Sequence, residues 1–352
     1  MRAKKIIVTG GAGYIGSHAC LELQSAGYDL VVLDNLSNSK FESLIRVQHI
    51  TGHKLTFHRI DVRDKPSLRE VFALYDVEAV IHFAGLKSVR ESVEQPLSYY
   101  SHNVAGTITL CEVMAEQGVR KLVFSSSATV YQETDLMPIR EDFPVGATAS
   151  PYGTSKLMIE NVLHDLQVSD PSWRISILRY FNPVGAHSSG LIGEDPNETP
   201  NNLMPFIAQV AAGKSQYLNI YGDDYLTPDG TGVRDYIHVV DLAKGHVAAL
   251  DYLSKNPGLL KVNLGAGRGL SVLEMVNAFQ LATGIEIPYR VIGRRAGDIA
   301  CYYADATLAA EKLGWRAELG VEAMCLDTWR WQSTNVSGYD VESDLGTKVS
   351  NC

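Results

Sequence analysis

Through the first half of the chain, short apolar runs alternate with longer stretches whose apolar positions recur every three or four residues. Ile6 to Thr9, Leu30 to Leu33, Leu55 to Ile60, Ala79 to Phe83, Lys121 to Phe124 and Arg174 to Tyr180 read as buried strands. Helical spacing fills the gaps, first at His18, Ala19, Leu21 and Leu23, then over Ser67 to Leu74, Tyr100 to Gln117 and Tyr152 to Gln167. This alternation predicts an α/β fold: a doubly wound parallel sheet covered on both faces, with ligands bound at the carboxyl ends of its strands. After Pro183 the pattern loosens into a stretch rich in Gly, Pro, Asn and Asp as far as about Gly232, with one helix near Pro205 to Ala212. A smaller C-terminal α/β domain is expected there. The division read from the pattern is 1–182, 183–338 and a tail over 339–352, with a strand and helix at about 235–253 rejoining the first domain. Ser271 with Glu274 makes a capping-box pattern opening a helix to about Thr283, and the polar end of the chain from about Ser333 is expected to fray.

The chemistry-bearing residues lie at strand ends. Gly10-Gly11-Ala12-Gly13-Tyr14-Ile15-Gly16 follows the first strand and opens the first helix, a spacing that lets backbone approach a pyrophosphate at a helix N-terminus. Asp34 closes the second strand, where a carboxylate binds a ribose diol and repels a 2′-phosphate. Together they predict a Rossmann-type site for NAD rather than NADP. Gly213-Lys214-Ser215 lacks the upstream glycine of a phosphate loop, and it and Gly265-x-Gly267-x-Gly269 read as turns.

Ser150 to Lys156, Ser-Pro-Tyr-Gly-Thr-Ser-Lys, puts Tyr152 and Lys156 on one face of a helix start. Chance supplies a Tyr-x-x-x-Lys pair roughly 0.7 times in a chain with this many of each, so the pair needs its context. Ser127, ending the strand that runs into Ser125-Ser126-Ser127, provides it. Tyr152 is expected to take and return a substrate proton, Ser127 to hydrogen-bond the same oxygen, and Lys156 to lower the phenol pKa while holding a nicotinamide ribose hydroxyl. Ser125 and Ser126 read as ordinary polar loop. Further on, Gly232 to His238 and Arg294-Arg295-x-Gly-Asp298 place arginines whose forks suit a diphosphate.

Composition narrows the partners. The 352 residues can bury a full core, and the net charge of -9 argues against a nucleic-acid binder. No run approaches the ~18 apolar residues of a membrane span. Arg2, Lys4 and Lys5 before Ile6 to Val8 read as a strand start, because the apolar run is too short for a leader. Five scattered cysteines without a C-x-x-C pair fit reduced thiols and a cytoplasmic protein, and the ten histidines lack ligand spacing, so no metal is expected.

Longer strings carry a family likeness: Thr9-Gly-Gly-Ala-Gly-Tyr-Ile-Gly-Ser-His18, Leu33-Asp-Asn-Leu36, His82-Phe-Ala-Gly-Leu-Lys87, Phe124-Ser-Ser-Ser-Ala-Thr-Val-Tyr131, Arg179-Tyr-Phe-Asn-Pro-Val-Gly-Ala186, Asn201-Asn-Leu-Met-Pro205 and Thr231-Gly-Val-Arg-Asp-Tyr-Ile-His238. On these, from Lys5 to about Gln332, the chain resembles the extended short-chain dehydrogenase/reductases, in the branch that acts on nucleotide sugars. The resemblance implies a homodimer with permanently bound NAD that interconverts UDP-glucose and UDP-galactose. In that scheme Tyr removes the sugar 4-hydroxyl proton, C4 passes hydride to NAD, and the 4-keto sugar turns over and takes the hydride back.

Carried over by position, the resemblance makes Tyr152, Lys156 and Ser127 catalytic. It lines the cofactor with Gly10, Gly13, Tyr14, Ile15, Gly16, Asp34, Asn35, Asn38, Ser39, Asp61, Val62, Phe83, Ala84, Gly85, Lys87 and Phe181. Because His102 stands where some relatives have Asn, Asn103 joins that set. The UDP-hexose would be held by Asn182, Asn202, Tyr221, Arg234, Arg295, Asp298 and Tyr302, with Tyr302 narrowing the sugar pocket against N-acetylated forms. A 4,6-dehydratase of the same superfamily carries an Asp-Glu pair after the strand serine, where this chain has Ala128 and Thr129. A non-catalytic NAD sensor tends to lose the Tyr or Lys, and both are present.

Overall fold

A computed structural model describes residues 4–196, 202–295 and 297–340. Its strands are β1 (Lys5–Thr9), β2 (Asp29–Asp34), β3 (Thr56–Arg59), β4 (Val77–His82), β5 (Lys121–Ser127), β6 (Arg174–Tyr180), β7 (Asn182–Val184), β8 (Leu218–Tyr221), β9 (Val233–His238), β10 (Gly258–Leu264), β11 (Gly269–Ser271), β12 (Tyr289–Ile292) and β13 (Cys301–Tyr302). The helices are α1 (Tyr14–Ser25), α2 (Glu42–Thr51), α3 (Lys65–Leu74), α4 (Val89–Glu94), α5 (Pro96–Tyr99), α6 (Gly106–Glu116), α7 (Pro151–Ser169), α8 (Leu203–Ala211), α9 (Val239–Lys255), α10 (Val272–Thr283), α11 (Thr307–Leu313) and α12 (Val321–Thr334), with a π-helical turn, Tyr100–Ala105, leading into α6.

Seven parallel strands form the main sheet in the order β10-β6-β5-β4-β1-β2-β3. Alternate residues of each inner strand enter different cores. Ile6, Val8, Leu30 and Val32 pack on the side of α1, α2 and α9, while Ile7, Val31 and Leu33 pack on the side of α3, α6 and α7. Burial of both faces is why these strands read as continuous apolar runs rather than alternating ones. Between β1 and β4 the winding reverses, and this switch point opens a crevice at the carboxyl ends of the two strands. The glycine turn leaves one wall of that crevice and Phe83-Ala84-Gly85 leaves the other, joined where Phe83 N–H donates to Thr9 O at 2.9 Å.

A second layer hangs from the carboxyl end of β6. Strand β9 pairs with β7, β11 and β13, β8 pairs with β12, and α8, α10 and α12 cover them around Met204, Ile207, Tyr236, Phe279 and Met324. The Ser271–Glu274 box caps α10 through both of its bonds, Ser271 N–H to Glu274 at 2.7 Å and Glu274 N–H to Ser271 Oγ at 3.0 Å.

The structure differs from the pattern reading in two places. The segment at about 235–253 returns only through its helix, α9, which lies against α1; its strand stays in the second layer, and β10 is the strand that completes the main sheet beside β6. Nor does the chain fray from Ser333. Helix α12 runs to Thr334, and Tyr339 is buried against Trp331 with its hydroxyl bonded to Gly193 O at 3.2 Å. A single aromatic ring in an otherwise polar stretch anchors it, which a composition window does not register. Residues 341–352 of the expected tail lie outside the described residues.

Candidate active site

The switch-point crevice is built from backbone. A Cβ on Gly16 would stand 2.2 Å from Gly10 O, and one on Gly10, at φ 70°, would stand 2.6 Å from Ala84 N. The turn, α1 and the loop after β4 therefore close on one another with no room for side chains. No side chain caps α1 at Gly13, so the positive end of its dipole faces the crevice. At the carboxyl end of β2, Asp34 accepts from Ala12 N–H at 3.0 Å, Leu36 N–H at 2.9 Å and Ser39 Oγ at 2.9 Å. Leu36 takes φ 59°, a left-handed conformation costly for a γ-branched residue, which bends the chain around that carboxylate. Open helix end, glycine floor and fixed carboxylate together fit a dinucleotide: diphosphate over α1, ribose at Asp34.

Around this floor the expected cofactor residues hold one another in place. Asn35 Nδ2 donates to Asp61 at 3.0 Å, and the Arg63 guanidinium grips Asp61 through two bonds, holding its carboxyl well below the usual range. Val62 is buried beneath Gly106, and Phe83 packs on His246 with ring centroids 4.7 Å apart. Asn103 is buried and bonds Leu86 N–H, Leu86 O and Ser155 Oγ, so it shapes the Gly85 to Lys87 loop from behind. Asn38 is exposed.

Tyr152, Ser127 and Lys156 converge at the end of β5. Ser150 caps α7 by accepting from Gly153 N–H at 3.2 Å with Pro151 in the first turn, which places Tyr152 one turn before Lys156. Tyr152 lies beside Ser127, close enough for the Ser127 hydroxyl to act on the phenol, and the Tyr152 ring meets Tyr99 edge-on at 6.5 Å. Lys156 Nζ donates to Ser125 O at 2.8 Å and lies 6.0 Å from the Tyr152 ring centroid. Burial pushes the Lys156 ammonium down to about 8, with Glu160 opposing.

The electrostatics correct one expectation. Burial raises the Tyr152 phenol above its ordinary value, and the Ser127 hydroxyl is what counters it. The phenol thus stands above its ordinary value even with Lys156 one turn away, rather than below it. Ser125 and Ser126 are also not loop: both are β5 residues, and Ser126 Oγ donates to buried Glu160 at 2.6 Å, which is forked by Arg179 at 2.6 and 3.0 Å.

Of the residues expected on the sugar nucleotide, Asn182, Arg234 and Tyr302 share the β7–β9–β13 sheet, with Tyr302 directly opposite Arg234. Tyr302 OH donates to Ala128 O at 2.7 Å and its ring lies 5.5 Å from Phe181, so it walls the space beside Ser127. Arg234 Nη1 is anchored on Val233 O and Ile299 O, which aims the rest of the fork. Arg295 pairs with Asp298 at 3.0 Å over the Tyr221 ring. Asn202 is exposed at the start of α8 and its side chain makes no cap bond.

A family model described as the NAD dependent epimerase/dehydratase family matches residues 6–265. The chain belongs to this family. It is 60% identical over 334 residues to the UDP-glucose 4-epimerase of Bacillus subtilis (strain 168), covering 95% of this chain and 98% of that one. It is 54% identical over 347 residues to the UDP-glucose 4-epimerase of Homo sapiens, covering 97% and 100%. Among solved structures, the UDP-glucose-4-epimerase from Stenotrophomonas maltophila with bound NAD and formylated UDP-arabinopyranose matches with a TM-score of 0.93 at 50% identity, covering 95% of this chain and 99% of that one. That of Bifidobacterium longum in complex with NAD+ and UDP matches at 0.91 and 52%, covering 95% and 100%.

Within the family framework, several side chains at the site escaped sequence reasoning. Thr129 Oγ1 donates to Ser127 Oγ at 3.0 Å, orienting it. The Tyr180 hydroxyl bonds His246, with Ser125 and Tyr152 near it. Tyr180 lies inside the Arg179 to Ala186 string, but nothing local says which face of β6 it takes. Glu160, four residues beyond Lys156, was findable from helix spacing.

Proposed function

We propose that this chain is a UDP-glucose 4-epimerase that uses NAD, and that Tyr152, Ser127 and Lys156 carry its proton transfer. The observation that carries the reading is the Tyr152–Ser127 pair at the mouth of the switch-point crevice, walled by Tyr302. When bound, NAD supplies the acceptor and donor of a hydride at sugar C4. Tyr152 takes the 4-hydroxyl proton and later returns it, Ser127 bonds the same oxygen, and Lys156, buried beside the phenol, stabilises the phenolate once Tyr152 is deprotonated. Asymmetric grip meets the need for a hexose that turns while its nucleotide stays: arginines Arg234 and Arg295 gather on the second layer, while hydroxyls surround the sugar end. Asn182, Asn202, Tyr221 and Asp298 complete the nucleotide side in this reading, and Gly10, Gly13, Tyr14, Ile15, Gly16, Asp34 and the loop from Phe83 to Lys87 hold NAD.

An assay that follows UDP-galactose against UDP-glucose tests it. Epimer interconversion without net NADH accumulation is the expected outcome; a 4-keto-6-deoxy product or an inert NAD-bound protein would replace the reading. Tyr302 gives a second test. Its ring is fixed at both ends by Ala128 and Phe181, so Tyr302→Cys is expected to open the wall and raise turnover of UDP-N-acetylglucosamine relative to UDP-glucose by about tenfold or more. Comparable use of both sugars by the unaltered protein would defeat this.

The homodimer belongs to the same reading. Val93, Leu97 and Met158 are exposed apolar residues on α4, α5 and α7, which pack together and present a surface suited to a second copy. A cytoplasmic location is supported by the free thiols of Cys20, Cys111, Cys301 and Cys325.

A further inference from the structure

Residues 185–196 touch the start of α1, helix α2 and the loops after β2 and β4. Gly185 O accepts from the hydroxyl of Tyr14, the first residue of α1, at 2.7 Å. Leu191 O accepts from Arg46 at 3.1 Å, Asp195 pairs with Lys40 after β2 at 3.0 Å, and Glu194 pairs with Lys87 after β4 at 3.0 Å. From the other side the segment is pinned by the second layer: Trp331 Nε1 donates to Glu194 O at 3.1 Å, and Tyr339 brackets Gly193. It is a strap tied across the front of the crevice.

The two acidic residues of the strap are not equivalent. Asp195 also accepts from Tyr339 N–H at 3.0 Å, which makes it part of the C-terminal packing. The Glu194 side chain is only 13% exposed and its carboxylate meets the Lys87 ammonium, itself 5.8 Å from the Tyr14 ring centroid. A lysine on a flexible four-carbon stem gives up rotamer freedom when fixed, and here a half-exposed lysine is fixed between a ring and a carboxylate at the end of α1 where a diphosphate would sit.

We propose that Glu194 is a positioning residue that latches the strap through Lys87 and so sets how slowly NAD enters and leaves. Removing the carboxylate frees the strap but also removes a negative charge near the diphosphate, so the rates change more than the affinity. The inference rests on the NAD reading of the crevice. Glu194→Gln is expected to accelerate both release and rebinding of NADH by about tenfold, followed by the fluorescence of the bound nucleotide, with Kd moving by less than about threefold. Lys87→Met should accelerate release likewise but slow rebinding, because it also removes a cation from the side of the diphosphate, and the double variant should release no faster than either single one. Raising salt should speed release from the unaltered protein and leave the variants' rates nearly unchanged. Unchanged release in Glu194→Gln and Lys87→Met, additive effects, or salt-insensitive release from the unaltered protein would overturn the latch. An unaltered protein that binds no NAD would instead remove the reading on which it rests.

Discussion

Tyr152→Phe is expected to lower epimerisation by about 10²–10⁴-fold while NAD stays bound, because the change removes one oxygen and leaves the ring. That ring keeps its edge contact with Tyr99, and Ser127 keeps its bond from Thr129, so the fold and the crevice have no reason to change. Only the group able to take the 4-hydroxyl proton is lost. The check is turnover of UDP-galactose beside the amount of NAD carried by the purified variant; near-normal epimerisation would overturn the assignment. The pH dependence follows from the same pair. Lys156 is pushed down to about 8 and Tyr152 upward, so the two together give up one proton as pH rises through about 8, and the form with phenolate and ammonium is the one that accepts a substrate proton. kcat/KM should therefore climb with pH, reach half its plateau near pH 8 and level off only above it, and Lys156→Met should depress the rate at every pH by withdrawing the charge that makes the phenolate accessible.

Gly16→Ala is expected to weaken NAD binding by about 10- to 100-fold. The added methyl would lie 2.2 Å from Gly10 O and 2.8 Å from Gly11 Cα, both backbone, so the glycine turn itself must shift. Overpacking of this kind costs about 1–3 kcal/mol, and about 1.4 kcal/mol is a factor of ten in binding. The shift would fall on the N-terminus of α1, which supplies the dipole and N–H groups for a diphosphate. Titration of the NAD-stripped variant with NADH reads the loss directly; unchanged affinity would mean that α1 does not carry the diphosphate.

The main sheet was legible because its strands are buried on both faces: Ile6-Ile7-Val8 and Leu30 to Leu33 have no polar alternative to being interior, and each ends in a residue with chemistry. The glycine turn, Asp34 and the Tyr152–Lys156 spacing follow from local geometry along one strand or one helix face. Legibility failed wherever a residue's partner is distant in sequence. The second layer's strands are short, β7, β11 and β13 spanning three residues or fewer, too brief for a periodicity. Tyr339 looked like part of a polar tail because its partners, Trp331 and Gly193, come from elsewhere in the fold.

By itself, then, the sequence determined the sheet, the dinucleotide turn and the Tyr152–Lys156 spacing, since each depends on contacts within about one helical turn or one strand–turn–helix unit. Only the tertiary structure decided the electrostatics and the enclosure. Desolvation of Tyr152 and Lys156 depends on everything packed around them, and the ties of Tyr302 to Ala128 and of Glu194 to Lys87 join residues 174 and 107 positions apart. Burial and long-range pairing are properties of the assembled core, and no window along the chain contains them.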